Sequence, residues 1–390
     1  MIFTRILSAE YEYGRQTGSD YDFLNRSPRG DVENVRQLIE DWFERFPASE
    51  KDRLSSALRS KDNITHQSAF FELYCHELLL RHGFVVTAHN PESNSRAKDF
   101  RAQLGPSTVD LEATVCTDAD SLSTQSKLLS TIIDYVNEHA FVSGFRYHFE
   151  VHRRGTELPR MKRLSAEIAD FARSFNRKEL REALEKVNFQ NIPTRDFTDG
   201  EWTFEIGLIP RPHDETASIA SKRSIGIGPT TGGVLHHDSA LRNTLDRKAK
   251  HYTQHDHPYI IAVDTIFEMS MRNDDDIDVL QALLGTEQVE FRSGFTNPRA
   301  TRKPDGIWVG PRGARNRNVS AILHVNQMKS WNICAAPIKM YLNPWAANPL
   351  EHQVFRVEKR IWNLSTGEPT DVKGEAPSVL FGLDSRWPEP

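Results

Sequence analysis

Asp99-Phe-Arg-Ala-Gln-Leu-Gly-Pro-Ser-Thr-Val-Asp-Leu-Glu-Ala-Thr-Val115 alternates apolar and polar residues on either side of a short turn. Two alternating runs flank the turn signal Gly-Pro-Ser, so the segment reads as a pair of strands. In Thr108 to Val115 a period of two puts Val109, Leu111, Ala113 and Val115 on one face and Thr108, Asp110, Glu112 and Thr114 on the other. The preceding run sets Phe100, Ala102 and Leu104 against Asp99, Arg101 and Gln103, so pairing the two strands brings Asp99 towards Glu112. Two carboxylates that converge repel each other unless a cation lies between them, and hard oxygen ligands of this kind suit Mg²⁺ or Mn²⁺.

Outward from this pair, 65–82 reads as a helix that is apolar around most of its circumference and carries Glu72, with Gly83 as its stop. A strand follows at 84–88, and beyond the pair come a helix at 123–138 and a strand at 146–152, giving an α-β-β-β-α-β order. Helices at 31–46 and 49–58 precede it. Further along, the spacing predicts helices at 163–175, 178–187 and 239–252 and strands at 202–209, 259–263, 306–309, 319–325 and 339–342. The stretch 217–233 reads as a Gly- and Ser-rich loop, and the tail after Pro349 as Pro-rich and irregular.

A helix bearing Glu72, a hairpin bearing Asp99, and Glu112-Ala113-Thr114 on the next strand resemble the PD-(D/E)XK nuclease superfamily. That resemblance implies a restriction-endonuclease-like core in a mixed α/β fold, with a central mixed sheet flanked by helices. It implies Asp99 and Glu112 as metal ligands and Glu72 as a supporting or orienting group. Lys98 stands where the family carries proline, and Thr114 where it carries lysine. A threonine hydroxyl supplies no charge to a developing phosphorane, so either a lysine arrives from elsewhere, with Lys127, Lys98 and Lys248 as candidates in that order, or catalysis is weak or absent. The resulting division is 1–64 as N-terminal helices, 65–265 as nuclease core with an insertion, and 266–390 as a C-terminal α/β extension. The plain alternative is a half-exposed strand with solvated acids.

Lys248 and Tyr252, just before the apolar run Tyr259-Ile-Ile-Ala-Val263, are similar to the Gln-x-x-x-Tyr element of some RecB-like nucleases, which touches nucleic acid. On that resemblance 116–237 is an insertion and 259–263 completes the core sheet. A basic outer helix face is the competing reading. Between Arg292 and Arg317 the chain carries Arg299, Arg302, Lys303, Arg312 and Arg315 with Phe291, Phe295 and Trp308 interleaved, a composition suited to phosphate contact and base stacking or to a solvated loop. Gly226 to Gly233 has glycines enough to cradle phosphate but lacks the P-loop ending, and His236, His237, His251, His255 and His257 form a histidine-rich surface.

Composition narrows the classes. With 38% hydrophobic and 26% charged residues the 390-residue chain is globular, and no apolar run reaches the roughly 20 residues of a membrane span. Cys75, Cys116 and Cys334 are far apart with no CxxC pair, which fits a reducing cytoplasm better than a disulfide framework or zinc ribbon. The net charge of −5 confines any nucleic-acid contact to local patches. The expectation is therefore a cytoplasmic, Mg²⁺- or Mn²⁺-dependent phosphodiesterase acting on nucleic acid, DNA first. Its catalytic group would be Glu72, Asp99, Glu112, Thr114 and Lys127, and its nucleic-acid contacts Lys248, Tyr252, Arg299, Arg302, Lys303, Arg315 and Arg317. The alternative is a catalytically inactive nuclease-fold module that binds nucleic acid or protein.

Overall fold

A computed structural model describes residues 1–12, 14–88, 98–117, 120–186, 192–211, 224–230, 237–251, 256–267, 276–290, 299–363 and 368–389. Its framework is an eight-stranded mixed sheet with helices on both faces. Three strands form a meander at one edge: β1 (Val85–Ala88), β2 (Phe100–Leu104) and β3 (Ser107–Thr117). Next to β3 lies β8 (Tyr259–Ile266), parallel to it, and then β13 (Ala321–Asn326), parallel again. The sheet ends with β14 (Ile338–Leu342), β15 (Glu358–Trp362) and β16 (Pro369–Val372).

The alternation in β3 decides which side chain meets which layer. Val109, Leu111, Ile260, Ala262 and Leu323 face one core, covered by α4 (Asn63–Arg81) together with α1 (Asp20–Arg26), α2 (Gly30–Arg45), α3 (Lys51–Leu58) and α10 (Pro377–Phe381). Cys116, Tyr259, Ile261, Val263 and Ile322 face the other, under α8 (His237–His251) and α9 (Asp276–Leu284). Helix α4 starts where the Asp62 carboxylate accepts from the Thr65 N–H at 2.8 Å and buries Phe70, Phe71, Leu73, Tyr74, Leu78 and Leu79. Each such side chain contributes about 1.5–3 kcal/mol when fully buried, which offsets the modest intrinsic stability of an isolated helix.

The chain between β3 and α8 builds a second unit. It comprises α5 (Asp120–His139), β4 (Phe145–Arg153), α6 (Met161–Arg173), α7 (Arg177–Glu185), β5 (Thr194–Asp199), β6 (Trp202–Pro210) and β7 (Ile225–Thr230). Its strands form a four-stranded sheet in the order β5-β6-β4-β7 over a separate core that includes Ile132, Val136, Phe149, Ile168 and Phe204. Smaller ribbons pair β9 (Glu287–Glu290) with β10 (Arg299–Arg302) and β11 (Val309–Gly310) with β12 (Gly313–Ala314).

Three expectations about elements are corrected. The tail beyond Pro349 is not irregular, since it supplies β15, β16 and α10. Residues 225–230, read as loop, form β7 alongside β4, and 231–233 lie outside the described residues. The strand expected at 306–309 reduces to β11, because the Ile307 and Trp308 N–H groups donate to Ala282 and Leu283 carbonyls at the end of α9. Among the described residues no helix is long and apolar enough to cross a membrane.

Candidate metal centre

The hairpin that carries the candidate acids closes through Gly105 and Pro106, with Gly105 at φ +56°, a conformation glycine adopts without a Cβ penalty. That turn fixes the register Phe100↔Leu111 and Arg101↔Asp110, which sets Asp99 opposite Glu112. The Ala113 N–H donates to Asp99 Oδ2 at 2.7 Å. Burial first, then the neighbouring charges of Glu72 and Glu112, push the Asp99 carboxyl up to about 7. The three acids named by sequence therefore share one electrostatic environment.

Glu112 is buried, and α8 supplies its partner: Lys248 Nζ lies 2.5 Å from Glu112 Oε1. The helix phase explains why. Leu241, Leu245 and Ala249 form the stripe that packs on the sheet, and Lys248 stands beside it on the same side. Glu112 Oε2 is buried with no hydrogen-bond partner. Glu72 is gripped from α3 by Arg53, which places Nη1 3.0 Å from Oε2 and Nη2 against Oε1.

The order of candidate lysines is reversed by these placements. Lys127 is exposed on α5, where its charge acts on Asp62. Lys98 forms an ion pair with Asp110, which Arg101 also engages at 2.9 Å. Although burial opposes it, those two cations hold the Asp110 carboxyl below the usual range. Lys248, named both as a candidate for the missing cation and as a nucleic-acid contact, directs its ammonium at Glu112 on β3. Thr114 follows on β3, half-buried. Tyr252 lies outside the described residues.

The basic stretch is only partly as expected. Trp308, proposed for base stacking, is fully buried and packs edge-on against Trp362 at 5.8 Å. Arg315 pairs with Asp246, Arg317 Nε donates to the Trp345 carbonyl at 2.9 Å, and Arg302 Nη1 donates to the Gly285 carbonyl at 3.0 Å. Lys303 and Arg312 are exposed, and the Arg299 backbone lies in β10. Arg292, Phe291 and Phe295 fall outside the described residues, as do the imidazoles of His236, His237, His251 and His255.

Sequence reasoning missed Arg53, Asp264 and a second donor cluster. Asp264 lies near the end of β8 on the α4 face, where its carboxylate accepts from Gln67 Nε2 at 2.9 Å and from the Met328 N–H at 3.1 Å. Burial pushes its carboxyl up to about 7, with Met328 and Gln67 opposing. A lone acid ending the apolar run from Tyr259 was the available signal. Among the described residues, one group of three donors has ligand atoms all within 4.8 Å of one another, and it is His152, Asp196 and Glu205 on the second sheet. Glu72, Asp99 and Glu112 do not close that tightly. Comparison with known proteins finds no matching family model, no matching curated protein and no matching solved structure.

Proposed function

We propose that the Asp99 and Glu112 centre hydrolyses phosphodiester bonds of nucleic acid with a divalent metal, on a restriction-endonuclease-like core made of α4, the β1-β2-β3 meander and β8. The observation that carries this reading is Lys248 against Glu112, since α8 returns to β3 the cation that Thr114 fails to provide. The residues present also fit a metal. Glu112 Oε2 is a buried oxygen without a partner, and Asp99 holds a carboxyl raised by burial and by the neighbouring Glu72 and Glu112. Both are hard donors suited to Mg²⁺ or Mn²⁺, and a bound metal supplies a water of lowered pKa and polarises phosphate.

The chain's own groups then have separate tasks. The Ala113 N–H fixes one Asp99 oxygen and leaves Oδ1 for ligation. Lys248 balances the Glu112 charge and is positioned to hold an attacking water or a phosphate oxygen as negative charge develops. Arg53 orients Glu72 as a supporting group.

A second reading, a nuclease fold that binds without cleaving, is favoured by the Arg53 grip on Glu72, which occupies both oxygens of that acid. Glu112→Gln distinguishes the two. Cleavage of single- and double-stranded DNA and RNA in Mg²⁺ or Mn²⁺ is expected to vanish in the variant while binding at fixed salt is nearly unchanged. Absence of wild-type cleavage of every substrate at stoichiometric protein supports the binding module; undiminished cleavage by the variant places the active site elsewhere.

A further inference from the structure

The outer face of the second sheet carries chemistry that the Asp99 and Glu112 centre does not use. Along β4 the period of two buries Tyr147, Phe149 and Val151 and turns His148, Glu150 and His152 away from that core. On β6, Phe204 and Ile206 go inward and Glu205 outward; on β5, Phe197 goes inward and Asp196 outward. The register aligns Asp196 with Glu205 and Glu205 with Glu150, so three adjacent strands present a row of carboxylates with His152 two residues further along. Asp196, Glu205 and Glu150 lie in register on paired strands, and His152 sits at the bulge between Val151 and Arg153.

Like charges directly opposite in an antiparallel pair are destabilising, and a bound cation would relieve them. Among the described residues, neither Asp196 nor Glu205 has a lysine or arginine partner. Their oxygens and a His152 ring nitrogen lie within 4.8 Å of one another, a span one metal ion can bridge. Glu150 adds a neighbouring carboxylate, with Oε1 3.8 Å from His152 Nδ1 and Oε2 3.8 Å from His148 Nε2. At that distance the carboxylate acts on both imidazoles through charge and makes no hydrogen bond to either.

We propose that His152, Asp196 and Glu205 form a zinc-class transition-metal site, distinct from the Asp99 and Glu112 centre. The imidazole nitrogen selects Zn²⁺ or its first-row neighbours over Mg²⁺, which prefers oxygen alone. Three protein donors on an open sheet face leave a coordination position to water.

Full-length protein carrying Glu112→Gln, which removes the first centre, is titrated with ZnCl2 in the presence of excess MgCl2 by calorimetry, and crystals are soaked in Zn²⁺ for anomalous diffraction. One ion per chain is expected at the three donors. His152→Ala and Asp196→Asn should each weaken it by at least about tenfold, and Glu150→Gln should weaken it less. All are outer-face substitutions, and circular dichroism verifies folding. Absence of Zn²⁺ binding, an anomalous peak away from these residues, or unchanged affinity in folded His152→Ala overturns the site. None of these outcomes bears on nucleic-acid cleavage, so the two proposals fail separately.

Discussion

Asp99 and Glu112 were legible as single residues because a strand's period of two is visible without a structure, and a Gly-Pro turn defines which residues face each other. Lys248 was legible only as the third of three candidate cations. It lies 136 residues from Glu112, and its direction depends on how α8 sits on the sheet. Two predictions belong at this scale. Lys248→Met should cut cleavage by about 10²-fold or more, as loss of a preorganised charged group does, and should destabilise the fold by about 3 kcal/mol through the uncompensated Glu112 charge. Adding Glu112→Gln should recover much of that stability while leaving activity absent, which chemical denaturation of the four proteins of the cycle measures. Asp264 governs a pH effect. Its folded pKa, pushed up to about 7, exceeds its ordinary 3.8, so the folded state binds a proton that the unfolded state releases. The stabilisation is complete below the unfolded value and is lost as pH rises through about 7. Asp264→Asn should flatten this slope between about pH 4 and pH 7 in urea titrations.

Elements were readable where one side is apolar and unreadable where ion pairs replace apolar contacts. Strand β15 has the sequence Glu-Lys-Arg-Ile-Trp and β16 Pro-Thr-Asp-Val, neither of which alternates cleanly. They hold to the sheet partly through Arg360, bonded to Asp371 at 2.7 Å, and Lys339, 3.0 Å from Glu358. Strand β7 contains two glycines and a proline, which signal a loop in isolation, and becomes a strand only because β4 offers it an edge. The spacing marks α8 as a helix, whereas the direction of Lys248 depends on how that helix seats on the sheet. Leu245, fully buried in its packing stripe, provides the test. Leu245→Ala should cost about 2–5 kcal/mol in unfolding free energy. Its cleavage rate should fall even under conditions where the variant is folded, because the helix that seats Lys248 shifts. A conserved rate in folded protein would detach Lys248 placement from this packing.

Over the whole molecule the charge balance is acidic, at −5, so contact with a polyanion has to be local. Many basic groups between 299 and 317 are engaged within the protein, which composition could not reveal, whereas Lys303 and Arg312 remain exposed. If those two touch phosphate, the double variant Lys303→Ala, Arg312→Ala should weaken binding to all sequences alike and lower the slope of log affinity against log salt by about 2. Fluorescence anisotropy across a salt series reads this directly, and an unchanged slope assigns contact to another surface.

The second unit enters the chain between the glutamate and the lysine of one ion pair. The two halves of the candidate centre therefore arrive on different stretches of polypeptide, joined through a part of the protein that supplies neither. A backbone cut between Thr117 and His237 would leave Glu112 on one fragment and Lys248 on the other, with β3 and β8 still able to pair. On the proposed function, cleavage by the mixed fragments would report their reassociation, and neither fragment alone would cleave.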